Sequence, residues 1–93
     1  MFRISTVKEP SHTTIMVDGQ LMSDSVETVE NCCDEEISAG KPVELLLRDL
    51  TTIDQAGRAL LRRLSRKGVH LLANGVYTSY LVEALNPAKR SPG

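Results

Sequence analysis

The sequence predicts an α/β fold: a four-stranded mixed sheet, its first two strands a hairpin, with helices mainly on one face. Three observations predict it. The chain opens with two alternating segments separated by a short Pro-containing break. Two strand–helix–strand units follow, the arrangement that favours parallel pairing through right-handed crossovers. One set of strand positions is apolar and the other mixed, so one face is covered and the other is wetter.

Each element has its own signal. Met1 to Val7 alternates, with Phe2, Ile4 and Thr6 on one side and Arg3, Ser5 and Val7 on the other, the period of a strand. Glu9-Pro10-Ser11-His12 breaks it, because Pro fixes φ and has no N–H for a ladder. Thr13 to Asp18 alternates again, and the short connection predicts a hairpin. Gly19 is expected to end this strand. Asp24 followed by Glu27 predicts a helix start with Asp24 as N-cap. Val26, Val29, Cys33 and Ile37 keep helical spacing, and Ala39-Gly40-Lys41-Pro42 is a stop.

Val43 to Arg48 is the clearest strand, with Val43, Leu45 and Leu47 opposite Glu44, Leu46 and Arg48. Asp49 to Asp54 is expected as a loop. A second helix is predicted from an Asp54 N-cap to about Lys67, closed by Gly68. Val69 to Ala73 is the fourth strand, Asn74-Gly75 a turn, and Val76 to Leu85 a third helix ended by Asn86-Pro87. Ile15, Val17, Val43, Leu45, Leu47, Val69 and Leu71 make the apolar sheet face. Arg3, Thr14, Glu44, Arg48 and His70 mark the mixed face. Residues 1–87 are expected to form one domain and 88–93 a loose tail.

Composition bounds the function. In 93 residues, 41% hydrophobic content is enough for a core and too much for a disordered tail. Eleven basic and twelve acidic residues give a net charge of −1, which offers no global attraction to nucleic acid or anionic membrane. One Phe, two Tyr and no Trp leave little for base stacking. The longest apolar run, Leu45-Leu46-Leu47, is far short of a membrane span, and the N-terminus lacks a signal-peptide pattern. Cys32 and Cys33 are adjacent and point apart on a helix, so they are expected as reduced thiols in a cytoplasmic protein.

Three segments resemble the STAS family, the family of the bacterial anti-sigma-factor antagonists. Ile15-Met16-Val17-Asp18-Gly19-Gln20-Leu21 is similar to its second strand and following turn. Val43 to Asp54 is similar to its strand, Asp-containing loop and apolar-Asp ending. Asp54-Gln55-Ala56-Gly57-Arg58-Ala59-Leu60-Leu61 sits where the family's Asp-Ser-Ser-Gly motif opens the second helix. The resemblance implies a regulatory module that binds a kinase-type anti-sigma factor and is switched off by phosphorylation of the motif's second Ser. That position is Ala56 here, with no hydroxyl. Three readings follow: constitutive binding, Thr51 or Thr52 as a displaced acceptor, or a STAS scaffold with another task, such as a structural subunit of a lipid transporter. The implied partner-binding surface is Thr51, Thr52, Asp54, Gln55, Ala56, Gly57 and Arg58.

Other constellations carry bland and sharp readings side by side. Asp54 reads as a helix cap and as the residue that shapes the binding loop. Asp18 reads as a strand end or as part of the same surface. Arg58, Arg62 and Arg66 recur every four residues, broadened by Arg63 and Lys67. The stripe reads as a solvated face, a dock for an acidic partner, or a mate for the acidic first helix. His12 and His70 lack metal-ligand spacing, no nucleophile has an evident base, and no Gly-rich phosphate loop is present. Tyr77 and Tyr80 read as packing residues. No cofactor, metal or enzymatic activity is expected. The mixed sheet face, with Met16, Leu46 and Leu72 among polar residues, reads as solvated or as a homodimer contact.

Overall fold

A computed structural model describes residues 2–74. The expected third helix, the Gly75 half of the turn and the tail lie outside the described residues. The elements are β1 (Arg3–Lys8), β2 (Thr13–Leu21), α1 (Ser23–Ser38), β3 (Val43–Ile53), α2 (Gln55–Arg66) and β4 (His70–Asn74). The sheet order is β1-β2-β3-β4. β1 pairs antiparallel with β2, and β2, β3 and β4 are parallel, so the predicted hairpin and mixed sheet are present.

The two crossovers advance in the same direction across the sheet. α1 packs on β2 and β3, α2 on β3 and β4, and the helices touch each other. The core lies between them and the sheet. Ile15, Val17, Leu45, Leu47 and Leu71 meet Val29 and Cys33 from α1 and Leu60, Leu61 and Leu64 from α2, all buried. Val43 and Val69 are buried at the same layer's edge, which completes the predicted apolar face. Each fully buried Leu or Ile contributes about 1.5–3 kcal/mol. Both helices close on Schellman turns, with Lys41 N–H on the Glu36 carbonyl and Val69 N–H on the Leu64 carbonyl. One polar link crosses the hairpin side of the core: the buried Thr13 hydroxyl donates to Glu36 at 2.9 Å, and Lys8 reaches the same carboxylate at 3.3 Å.

Three expectations are corrected. β2 does not end at Gly19. That residue takes φ +88°, and the strand resumes through Gln20 and Leu21, paired with Thr52 and Ile53. The segment Asp49 to Ile53 is not a loop but the continuation of β3. Between the Asp18–Arg48 and Gln20–Thr52 pairs, β2 uses one residue and β3 uses three. This bulge turns Asp49 to φ +48° and buries Leu50. α1 starts at Ser23 with Met22 at the cap position and no side-chain cap of its own. Asp24 therefore lies inside the first turn rather than at the N-cap.

Candidate functional site

The candidate site is built where the carboxyl ends of β2 and β3 meet the amino ends of α1 and α2. Parallel strands followed by helices place these ends together at one rim of the sheet. Asp54 organises the rim. It holds extended backbone before α2, and its Oδ1 accepts from the Gly57 N–H at 2.8 Å. Its Oδ2 accepts from the Ser23 N–H at 2.9 Å. One carboxylate thus satisfies a free N–H at each helix start. The Gly57 N–H first, then the Ser23 N–H, hold the Asp54 carboxyl below its ordinary range, because both bonds favour the anion. The predicted Asp54 cap is present, and its second bond supplies the cap that α1 lacks.

Gly57 is buried and lets the rim close. A Cβ there would run into the Leu21 carbonyl oxygen and lie 2.8 Å from Ile53 Cγ1. Gly57 therefore acts by allowing close approach, not by offering a side chain. Thr51 is exposed, yet its hydroxyl donates to the Gly19 carbonyl at 2.8 Å and tethers the bulge. Thr52 is exposed and paired with Gln20 in the ladder. Gln55 and Arg58 are exposed, and Ala56 is half-buried between them. The seven predicted residues form one continuous rim. Gly19, Gln20, Leu21 and Ser23 join them from the other crossover, and of these Ser23 was without a sequence signal.

The remaining candidates fall elsewhere. Asp18 is on the mixed sheet face, bound to Arg48 by two hydrogen bonds of 2.9 and 2.8 Å. That bonding pulls the Asp18 carboxyl down and the Arg48 guanidinium up. The basic cluster of α2 divides. Arg63 and Lys67 turn to α1, where Arg63 grips Glu30 at 3.1 and 3.0 Å and Lys67 bridges Glu30 and Asp34. Arg58, Arg62 and Arg66 stay exposed on the outer side. His12 lies 3.3 Å from Glu9 and 3.6 Å from Glu44, and His70 is exposed on β4. Cys32 and Cys33 are free thiols, and burial pushes Cys33 up to about 12. Among the described residues no three His, Cys, Asp or Glu side chains gather as metal ligands, and no helix is long and apolar enough to cross a membrane.

This arrangement is that of a known fold. The chain is similar to the phosphorylated form of SpoIIAA, a Bacillus cell fate determinant, at a TM-score of 0.67 and 21% identity over 94% of this chain and 86% of that one. The unphosphorylated form of the anti-sigma factor antagonist SpoIIAA matches at a TM-score of 0.65 and 16% identity, over 89% and 82%. An uncharacterised protein of the DUF3478 family from Shewanella loihica PV-4, with a SpoIIAA-like fold, matches at 0.59 and 15% identity, over 99% and 80%. No protein-family model matches the sequence, and no curated protein does. The chain has the SpoIIAA-like fold of the anti-sigma-factor antagonists, as the STAS resemblance implies.

Proposed function

We propose that this protein binds a kinase-type anti-sigma factor, as an anti-sigma-factor antagonist does, through Thr51, Thr52, Asp54, Gln55, Ala56, Gly57 and Arg58. One observation carries the reading: in a SpoIIAA-like fold, Asp54 fixes the first turn of α2 so that Gln55 and Arg58 stand exposed around Ala56. The protein acts by association rather than by catalysis, in the cytoplasm. Ala56 has no hydroxyl, so the partner is held without phosphorylation control at this position. Thr51 is a poor substitute acceptor, because its hydroxyl already serves the Gly19 carbonyl.

The test is a pull-down from host lysate with tagged wild type beside Ala56→Glu, read by mass spectrometry. A carboxylate at position 56 would stand next to Asp54 and repel an interface that tolerates a methyl group. A serine-kinase-like anti-sigma factor should be retained by wild type and lost by the variant. Equal retention by both proteins would remove this surface from the interface. Recovery of transporter subunits would replace the antagonist role with that of a structural subunit in a larger assembly.

A further inference from the structure

The sheet face opposite the helices carries three rows of side chains, fixed by the strand register. The central row is Ser5, Met16, Leu46 and Leu72. On one side lie Arg3, Asp18, Arg48 and Asn74, and on the other Val7, Thr14, Glu44 and His70. Met16, Leu46 and Leu72 are half-buried and adjacent across three strands, and Val7 at the sheet edge is 45% exposed. An apolar centre with a polar margin is the pattern that protein interfaces share. The flanking rows differ in charge. Two arginines against Asp18 leave the first row positive. Glu44 makes the other side negative; Glu9 lies near it through His12 but is offset by Lys41, whose Nζ donates to the Glu9 carbonyl at 2.9 Å.

We infer that this face is a homodimer contact, occupied by a second copy of the chain related by a two-fold axis along the apolar row. That rotation lays Met16, Leu46 and Leu72 on their own mates. It also lays the positive row of each copy over the negative row of the other, bringing Arg48 opposite the partner's Glu44. A patch with an apolar centre and opposite charges on its two sides is self-complementary under this axis, which is what an isologous contact requires. Strands of the two sheets then run nearly antiparallel, with the sheets about 10 Å apart, an ordinary face-to-face packing. A two-fold axis along the strands would instead set each row against its own copy, arginines against arginines. The helix-rim site is on another surface, so the dimer displays two copies of it.

Sedimentation equilibrium of the full chain tests this. Wild type should be dimeric, and Leu46→Lys should weaken the dimer at least about 100-fold, because it buries a charge at the centre of the contact. Leu46 is half-buried in the monomer, so circular dichroism must first show the variant folded. The decisive arm is a charge exchange. Arg48→Glu and Glu44→Arg should each be monomeric alone, and an equimolar mixture of the two should recover a dimer. A wild type that stays monomeric to millimolar concentration overturns the inference. So does a dimer that survives Leu46→Lys, or a mixture of folded charge variants that stays monomeric. Ala56→Glu lies off this face and should leave dimerisation intact, so the antagonist reading and the dimer fail separately.

Discussion

The backbone N–H of Ser23 is bonded to the carboxylate of Asp54 at 2.9 Å, so the residue that caps α2 also caps α1. The two helices are separate along the chain but share one anion at their starts. The rim proposed to bind a partner is therefore held by one half-buried carboxylate bonded to both helix starts.

This sharing makes the rim sensitive to acid. The folded Asp54 carboxyl is depressed, so its contribution is fully present above the ordinary carboxylate value of about 4 and is lost as pH falls through the lower folded value. Asp54→Asn should be less stable than wild type at pH 7, and the gap should narrow as pH falls below about 4. Asp18, Glu30 and Glu36 are depressed as well, but they remain in both proteins and cancel in the comparison. Urea midpoints of the two proteins at pH 7 and pH 3 check the claim. A gap that does not narrow would mean that Asp54 contributes through shape and not charge.

The cysteines make a second prediction. Burial first, then the neighbouring Cys32 and Asp34, raise Cys33 to about 12. At pH 8 only about one Cys33 in 10,000 is then a thiolate, the form that reacts with an alkylating agent. Cys32 is half-buried and is raised too, by burial and by Glu35 and Glu36. Iodoacetamide at pH 8 should leave Cys33 of the native protein unmodified and label Cys32 slowly, and both should label quickly in urea. Peptide mapping by mass spectrometry separates the two sites. Fast native labelling of Cys33 would mean that α1 opens readily from the sheet.

Much of this fold is legible in the residues. The alternation of Thr13 to Asp18 and of Val43 to Arg48, and the Asp54 cap, are local patterns, and each forms the expected element. What fails is whatever depends on a distant partner. Asp24 and Glu27 announce the first helix, but nothing local sets its start at Ser23, because the acceptor for the Ser23 N–H sits 31 residues away. Asp49 to Ile53 reads as a loop, since Asp49, Thr51 and Thr52 break the apolar alternation. Yet pairing with Gln20 and Leu21 draws the segment into the sheet. The rim residues are legible by their likeness to a family motif. The role of Gly57 is not, because its reason is the Leu21 carbonyl facing it from the other crossover.

That close approach supports the last prediction. In an exposed helix, Gly→Ala stabilises by about 0.5–1 kcal/mol, because the unfolded chain loses freedom and the helix gains. At Gly57 the added methyl would press on the Leu21 carbonyl, which is fixed backbone, and on Ile53. It would also strain the N–H that Asp54 accepts. Overpacking of this kind costs about 1–3 kcal/mol and outweighs the helix gain. Gly57→Ala should therefore lower the urea midpoint, whereas Ser65→Ala, in the last turn of the same helix, should change it little. Amide exchange should localise the damage, with faster exchange at Ser23 and Gly57 and unchanged protection in β1. If Gly57→Ala is instead as stable as wild type or more so, α2 can shift away from Leu21 without cost, and the rim is looser than its contacts imply.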